Sequence, residues 1–384
     1  MLTNTPKKKL HGVLIGGSGL IGGTIDNYFK NTTPDSISLR APSSKKLSIR
    51  SCSDIRDYLK RHRPDFIINT AIANIGSECQ LAFEVNYLGA LNIARAAAAL
   101  KIPYIHFSSA ACLPNGEDLT EEDHLPLTSD LSNYAKSKLM AEMTLRHMYE
   151  TVGLDYTCIR LSVVYGEHDH KIQGFHRLFF SIADETMPAL FTKKNVLHSY
   201  TNANKLPYFI HHILLNRAEF SGQTYHFVDK EPVDLANLIL TIKSYLEVKT
   251  PREVYIPYPA ATMGTKMMNS LFKVFAKFGI RATLPPELMF LESFYKTQTL
   301  SSHKLAQSSF QDPMPKETVY ARLPALVIYY LTRWSQQNII STFNDAMFKD
   351  SPVDVGFKFE PRTLLEGIHH DSINPFIDLC DLPK

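Results

Sequence analysis

The sequence predicts an α/β fold in which a doubly wound parallel sheet is followed by a smaller C-terminal domain. A glycine turn is the first observation behind this prediction: Gly16, Gly19 and Gly22 follow a short apolar run and precede a helical pattern. The second observation is the alternation of strand and helix patterns over the first 165 residues. Such alternation is typical of a parallel sheet covered by helices.

Five short apolar segments in this first part are predicted to be strands. They lie at 12–15, 36–39, 66–69, 104–108 and 156–161, and helices are expected to start near Ile25 and to cover about 81–100 and 131–151. After Gly166 the pattern is less regular, with a strand expected at 222–228 and a helix at 235–245. We therefore predict a Rossmann-like domain at 1–165, a lobe at 166–347 with some elements returning to the first sheet, and a tail at 348–384.

Composition and charge exclude several classes of protein. The formal net charge is +3, which gives no support for nucleic-acid binding. Five cysteines without a C-x-x-C motif argue against a disulfide framework and a zinc site, and favour reduced thiols in the cytoplasm. The histidines lack the partners of a metal site, and no run of about 18 uninterrupted apolar residues predicts a membrane-spanning helix.

The glycine turn has the chemistry of an anion-binding site. Glycines let the backbone approach a ligand closely, and the free N–H groups and dipole of the following helix attract negative charge. A strand, a glycine turn and a helix N-terminus together form a cradle for a pyrophosphate. By itself the motif is also compatible with an ordinary turn.

Three polar residues downstream form a second pattern. Tyr134 and Lys138 are spaced as Y-x-x-x-K, so both side chains lie on one face of the predicted helix. A phenol with a pKa near 10 is a poor proton donor or acceptor at neutral pH, and a neighbouring ammonium would stabilise its phenolate. Ser109 ends the fourth predicted strand, at the sheet edge where α/β proteins bind ligands. We expect its hydroxyl to hydrogen-bond the reacting oxygen of a substrate.

Together these patterns resemble the extended short-chain dehydrogenase/reductase family, the NAD-dependent epimerases and dehydratases. The resemblance covers roughly residues 10–320 with decreasing strength. Its matching segments are residues 15–22, 69–71, 85–89, 106–110, 134–138 and 160–166. The resemblance implies hydride transfer between a nicotinamide cofactor and a carbon that bears the reacting oxygen.

The resemblance also implies roles for individual residues. Tyr134 would be the acid/base, Lys138 its electrostatic partner and a ligand of the cofactor ribose, and Ser109 would polarise the substrate oxygen. Asn86 would brace the region of the active-site helix. The pyrophosphate and the rest of the cofactor would be contacted by Gly16, Ser18, Gly19, Leu20, Ile21, Gly22 and Ala71.

Arg40 bears on the choice of cofactor. It stands 18 positions after Gly22, where members of the family that prefer NAD have an acidic residue. A guanidinium suits a 2′-phosphate, so the sequence favours NADP over NAD. The alternative is that Arg40 stacks on the adenine or faces water.

The substrate side leaves three alternatives open. Part of the chain, residues 63–71, looks most like dTDP-4-dehydrorhamnose reductase, which favours a nucleotide sugar. Residues 255–259 and 284–287 resemble the lid region of two subgroups. One is the sugar-nucleotide reductases and epimerases, and the other is the 3β-hydroxysteroid dehydrogenase-like enzymes, which act on lipophilic 3-oxo or 3-hydroxy compounds. The third alternative is a regulatory subunit that binds NADP without catalysis, although such a protein would not need Ser109, Tyr134 and Lys138.

Two further expectations concern surfaces. An amphipathic segment at 266–281 carries lysines on one side, which favours a lid helix over the substrate cavity and leaves peripheral membrane contact as an alternative. By analogy with the family, the helices at 81–100 and 131–151 would form the seam of a homodimer.

Overall fold

The structure is a computed structural model. It describes residues 9–167, 169–172, 174–184, 189–191, 195–249, 252–254, 257–260, 263–264 and 291–337. The chain divides into a compact unit of residues 1–327 and a second unit of residues 328–384. Both the amphipathic segment predicted at 266–281 and the tail at 348–384 lie outside the described residues.

The described part contains fourteen strands. They are β1 Leu10–Ile15, β2 Ile37–Arg40, β3 Phe66–Asn69, β4 Tyr104–Ser109, β5 Gly116–Leu119, β6 Tyr156–Leu161, β7 Val163–Tyr165, β8 Ala189–Phe191, β9 Leu197–His198, β10 Tyr200–Asn202, β11 Gln223–Phe227, β12 Val233–Asp234, β13 Arg252–Val254 and β14 Gln298–Leu300.

The described helices alternate with these strands. They are α1 Leu20–Asn31, α2 Cys52–His62, α3 Cys79–Ala82, α4 Ala90–Leu100, α5 Asn133–Val152, α6 Gly174–Ala183, α7 Leu206–Leu215, α8 Arg217–Phe220, α9 Leu235–Tyr245, α10 His303–Gln307 and α11 Val319–Gln336. A π-helical turn at Phe83–Gly89 joins α3 to α4. None of the helices in the described residues is long and apolar enough to cross a bilayer.

Six parallel strands form the central sheet. Their order is β11-β6-β4-β3-β1-β2. In the register, Ile15 of β1 is opposite Asn69 of β3, Asn69 is opposite His106 of β4, and Ser109 of β4 is opposite Leu161 of β6. The carboxyl ends of β1, β3, β4 and β6 therefore share one edge of the sheet, which is where ligands bind in such folds.

Both faces of the sheet are covered. Successive side chains of a strand point to opposite faces, so the apolar residues of each strand contribute to two cores. Leu14 and Phe107 pack in one core with α1 and α7. On the opposite face, Val13 and Tyr104 pack in a second core with α2, α4 and α5. The predicted doubly wound parallel sheet is confirmed.

The element bounds agree closely with the prediction over most of the sheet. Strands β3 and β6 and helix α9 have the predicted bounds, and β1, β2, β4 and β11 differ by one or two residues. Helix α2 was not predicted, although Ser51 caps it by accepting a hydrogen bond from the Asp54 backbone N–H. The helix predicted at 81–100 is interrupted by the π-helical turn. The domain bounds near residues 165 and 347 stay predictions.

A cluster of buried polar groups joins β11 to β6. His226 has no exposed surface; its backbone N–H donates to Glu121 Oε1 at 2.9 Å, and its Nε2 lies 3.4 Å from Arg160 Nη1. Burial, followed by the positive charge of Arg160, lowers the pKa of His226 to about 4. The folded protein therefore holds this imidazole neutral, whereas the unfolded chain protonates it near pH 6.5.

This difference predicts a loss of stability in acid. Because the folded pKa lies below the unfolded one, the contribution of His226 is complete above pH 6.5 and is lost as the pH falls towards 4, to a total of about 3 kcal/mol. In thermal melts between pH 8 and pH 4.5, His226→Gln should show a weaker acid-side decline than the wild type. His147→Gln, an exposed histidine on α5, is the matched control. Equal declines in all three proteins would contradict the prediction.

Candidate active site

The glycine turn between β1 and α1 is tight. Gly16 has a φ of +87°, and the Gly19 backbone N–H donates to its carbonyl at 3.1 Å. A Cβ on Gly16 would lie 2.6 Å from Thr70 Oγ1, and a Cβ on Gly22 would lie 2.3 Å from the Gly16 oxygen. The structure thus requires glycine at both positions, because any side chain would force the turn open.

Helix α1 starts directly at this turn. It is twelve residues long, begins at Leu20, and its N-cap residue Gly19 makes no side-chain capping hydrogen bond. The backbone N–H groups at its first turn therefore lack the side-chain partner that usually satisfies one of them. Such a turn fits a pyrophosphate, and Ser18 and Ile21 lie within it as predicted.

The end of β3 closes against the same turn. Thr70 donates to the Ile15 carbonyl with both its backbone N–H, at 2.9 Å, and its hydroxyl, at 2.8 Å. The next residue, Ala71, is held by a 3.1 Å hydrogen bond from its N–H to Asn69 Oδ1. Since a Cβ on Gly16 would lie 2.8 Å from the Ala71 nitrogen, the predicted cofactor residues of β1 and β3 adjoin each other.

Ser109 and Tyr134 are brought together by the packing of α5 on β4. Their side chains form a hydrogen bond, and Ser109 Oγ also accepts from the Ala111 N–H at 3.2 Å. Tyr134 is only 7% exposed, and burial raises its pKa to about 12. The hydrogen bond from Ser109 acts in the opposite direction and lowers that pKa. At neutral pH the phenol is therefore protonated and able to donate a proton.

Lys138 lies one turn further along α5 and is also buried. Its Nζ donates to the carbonyl of Phe107 in β4 at 2.8 Å. Burial lowers the pKa of Lys138, while the neighbouring Cys112, Cys158 and Glu142 raise it. Sequence reasoning placed Lys138 near Tyr134 but missed the Phe107 carbonyl, because a backbone acceptor leaves no signal in residue type.

Asn86 braces the start of α5, as predicted. Its Oδ1 accepts from the Ala73 N–H at 2.8 Å, and its Nδ2 donates to Ser137 Oγ at 3.1 Å. Ser137 in turn donates to the carbonyl of Tyr134 at 3.0 Å. Asn86 lies in the π-helical turn, and the amide connects the loop after β3 to the helix turn that carries Tyr134.

Arg40 stands apart from Ser109, Tyr134 and Lys138, at the far side of the glycine turn. It ends β2, is exposed, and lies opposite Val13 of β1. Its positive charge acts to lower the pKa of Tyr58 and that of His62, both on α2. The next residue, Ala41, contacts the turn directly, since a Cβ on Gly17 would lie 2.7 Å from the Ala41 Cβ.

Metal chemistry finds no support in the described residues. No group of three histidine, cysteine, aspartate or glutamate side chains there is arranged to hold an ion. His168 lies outside the described residues. His211 and His212 contact aromatic rings of the core, those of Phe29 and Phe220.

Comparison with known proteins agrees with this geometry. Residues 13–189 match the model of the NAD dependent epimerase/dehydratase family. The matched part is just under half of the chain. The match spans the glycine turn together with Ser109, Tyr134 and Lys138, so it covers both halves of the site.

Two curated relatives share part of their length with this chain. A GDP-L-colitose synthase from Yersinia pseudotuberculosis is 24% identical over 195 residues, which is 48% of this chain and 62% of the relative. A dTDP-4-dehydrorhamnose reductase from Sinorhizobium fredii is 30% identical over 138 residues, which is 34% of this chain and 43% of the relative. The chain thus spans less than two thirds of either relative.

Solved structures extend the likeness in fold. A dTDP-4-dehydrorhamnose reductase from Bacillus anthracis, in complex with NADP, has a TM-score of 0.60 at 18% identity over 84% of this chain and 99% of its own. A UDP-glucose 4-epimerase from Thermus thermophilus, complexed with NAD, has a TM-score of 0.61 at 17% identity over 84% of this chain and 99% of its own. At these identities the likeness establishes the Rossmann-like fold.

The close packing of the glycine turn predicts the effect of a single methyl group. Gly22→Ala should weaken NADPH binding at least tenfold, because the added Cβ meets the Gly16 carbonyl and displaces the turn. Fluorescence titration with NADPH measures this. Gly76→Ala is the matched control, since a Cβ there meets nothing within 4 Å. Unchanged affinity in Gly22→Ala would contradict the assignment of the turn as the pyrophosphate site.

Proposed function

We propose that this protein is an NAD(P)-dependent oxidoreductase or epimerase that transfers a hydride between the nicotinamide and a carbonyl or secondary alcohol. The observation that carries the proposal is the hydrogen bond between Tyr134 and Ser109 on the sheet edge that also carries the glycine turn. Acid/base and dinucleotide-binding groups on one edge are what hydride transfer requires.

Each residue has a defined part in the proposed reaction. In reduction, Ser109 binds the substrate oxygen and Tyr134 donates its proton to it as the carbon accepts the hydride that a bound nicotinamide supplies. In oxidation, Tyr134 takes the proton back. Lys138 would act as the electrostatic partner of the phenol and would bind the ribose of the cofactor. The raised pKa of Tyr134 keeps the phenol protonated at neutral pH, which is the form that donates a proton in reduction.

Arg40 supports NADP as the preferred cofactor. Its exposed guanidinium stands at the end of β2, next to the residue that contacts the glycine turn. A 2′-phosphate would receive a charge-assisted, bidentate hydrogen bond there. The solved reductase from Bacillus anthracis, which has the same fold, holds NADP.

A nucleotide sugar is the substrate class that we place first. The curated relatives are named as a GDP-L-colitose synthase and a dTDP-4-dehydrorhamnose reductase, which support this class. Within it, Ser109 and Tyr134 would act on a 4-keto group or the corresponding alcohol. Mass spectrometry of small molecules retained on the purified protein would identify a co-purified nucleotide sugar.

A lipophilic ketone or alcohol is the second candidate. Three neighbouring strand ends at the ligand edge carry apolar side chains: Ile72 and Ile75 after β3, Ala111 after β4, and Val163 after β6. Ile72 is 47% and Ile75 65% exposed. The loop that carries them is bound to α5, because Asn133, next to Tyr134, donates to the Ser77 carbonyl at 3.3 Å. Retention of a lipid instead of a nucleotide sugar would decide for this candidate.

A homodimer in the cytoplasm stays a prediction from the sequence. Exposed apolar side chains on the proposed seam, Leu81, Leu100 and Met143, support the association of two copies. Free thiols at Cys52 and Cys79 suit a reducing compartment.

The acid/base role of Tyr134 predicts a selective loss of turnover. Tyr134→Phe should lower kcat by about a hundredfold or more while NADPH affinity changes little, as expected when a general acid/base is removed. Oxidation of NADPH at 340 nm, with the co-purified compound as substrate, measures the rate. Tyr149→Phe, an exposed tyrosine on the same helix, is the control. Unchanged kcat in Tyr134→Phe would contradict the proposed mechanism. It would also remove the argument that distinguishes the protein from a non-catalytic NADP-binding subunit.

The role of Arg40 predicts a change in cofactor preference. Arg40→Leu should raise the Kd for NADPH about tenfold or more and leave the Kd for NADH nearly unchanged, because only NADPH carries the 2′-phosphate. Fluorescence titrations with both cofactors measure the ratio. Arg146→Leu, which removes an exposed guanidinium from α5, should not change it. Equal losses of affinity for NADPH and NADH would show that Arg40 does not bind the 2′-phosphate.

A further inference from the structure

A buried ion pair lies behind the proposed catalytic residues. Arg160 of β6 and Glu142 of α5 are 3% and 8% exposed, and Arg160 Nη2 lies 2.7 Å from Glu142 Oε2. Arg160 Nε reaches both carboxylate oxygens of Glu142, at 3.1 and 3.0 Å. Removing two charges from water costs free energy. Apolar side chains in their place would hold the helix at no greater cost in free energy.

The pair connects three segments that surround the site. From β6, Arg160 binds α5 through Glu142, and its Nη1 donates to the carbonyls of Glu121 at 2.8 Å and Asp123 at 3.2 Å in the loop that precedes α5. Arg160 is also opposite Ser108 in the β4–β6 register, one residue before Ser109. The same side chain thus fixes the helix that carries the phenol relative to the strands that carry the hydroxyl.

Glu142 shares a helix face with the catalytic residues. It follows Lys138 by four residues and Tyr134 by eight, which is one and two turns of α5. All three side chains are buried. A shift of α5 along β4 would therefore move the carboxylate, the ammonium and the phenol together.

We propose that Glu142 and Arg160 are positioning residues of the active site, which hold α5 in the register that places Tyr134 on Ser109 and Lys138 on the Phe107 carbonyl. The proposal rests on the proposed function, because it assigns this register a part in hydride transfer. Neither residue touches the reacting atoms. Their effect passes through Tyr134 and Lys138.

The charges around Lys138 explain why Glu142 is paired with Arg160. The titratable groups acting on this ammonium, besides Glu142, are Cys112 after β4, Cys158 of β6 and His106 of β4. Burial holds both thiols protonated by raising their pKa, and it holds His106 neutral by lowering its pKa. The charged groups are therefore Lys138, Glu142 and Arg160, so Arg160 balances Glu142 and leaves one positive charge for the site.

A second ion pair on the same strand provides the control. Asp155 precedes β6, and its carboxylate pairs with Arg217 of α8, which also donates to Thr157 Oγ1 at 2.8 Å. This pair holds the amino end of β6, away from the ligand edge. A purely structural role in fastening β6 would be common to both pairs, whereas a positioning role belongs to Glu142 and Arg160 alone.

The test compares two double variants of the full chain, Glu142→Met with Arg160→Met and Asp155→Met with Arg217→Met. Replacement of both partners leaves no uncompensated buried charge, so both variants should fold. For the first, we expect NADPH affinity within about threefold of wild type and kcat lower by about tenfold to a hundredfold, because misplaced reacting groups lose rate at that scale. Its primary isotope effect with 4-deuterated NADPH should increase. The second variant should keep the wild-type kcat.

A readout without turnover separates this proposal from the proposed function. With 3-fluorotyrosine at position 134, the ¹⁹F resonance should shift and broaden in the Glu142/Arg160 variant and stay in place in the Asp155/Arg217 variant. Unchanged spectra and kcat in both variants, or equal changes in both, would overturn the positioning role. If the wild type transferred no hydride to any carbonyl, the proposed function would fail, and the ¹⁹F comparison would still decide whether the pair sets the position of Tyr134.

Discussion

The hydrogen bond from Lys138 to the Phe107 carbonyl is the contact on which the rest of the site depends. It joins the middle of α5 to the last residues of β4, just before Ser109. Because Tyr134 lies one turn earlier on the same helix, this contact helps to hold the phenol near the serine at the sheet edge. The lysine is buried, so the bond also satisfies an N–H group that water cannot reach.

The site combines two kinds of constraint that arise from different physics. At the glycine turn, the constraint is steric: the Gly16 carbonyl leaves no space for a Cβ on Gly22, and the end of β3 leaves none for one on Gly16. Around α5, the constraint is polar, since a buried phenol, ammonium and carboxylate each need a partner. The parallel register brings the glycine turn and the polar groups around α5 to one edge of the sheet. The turn proposed to bind a dinucleotide and the residues proposed to transfer a proton are therefore neighbours as a consequence of strand order.

Much of this arrangement could be predicted from the sequence because it depends on residue type and spacing. The glycines require their turn, short runs of residues suited to burial predict β3 and β6, and Y-x-x-x-K places Tyr134 and Lys138 on one face. Other features left weaker signals. Helix α2 has only two buried residues, Ile55 and Leu59, and Asn86 in the π-helical turn finds its partners, Ala73 and Ser137, far along the sequence. The acceptor of Lys138 is a backbone carbonyl, which any residue in place of Phe107 would provide.

A crystal structure of the protein with NADP⁺ bound would test the central claim most directly. The account predicts the pyrophosphate against the first turn of α1, with Tyr134 Oη and Ser109 Oγ facing C4 of the nicotinamide and Lys138 Nζ at its ribose. A dinucleotide bound elsewhere, or one whose nicotinamide lies away from Tyr134, would contradict it.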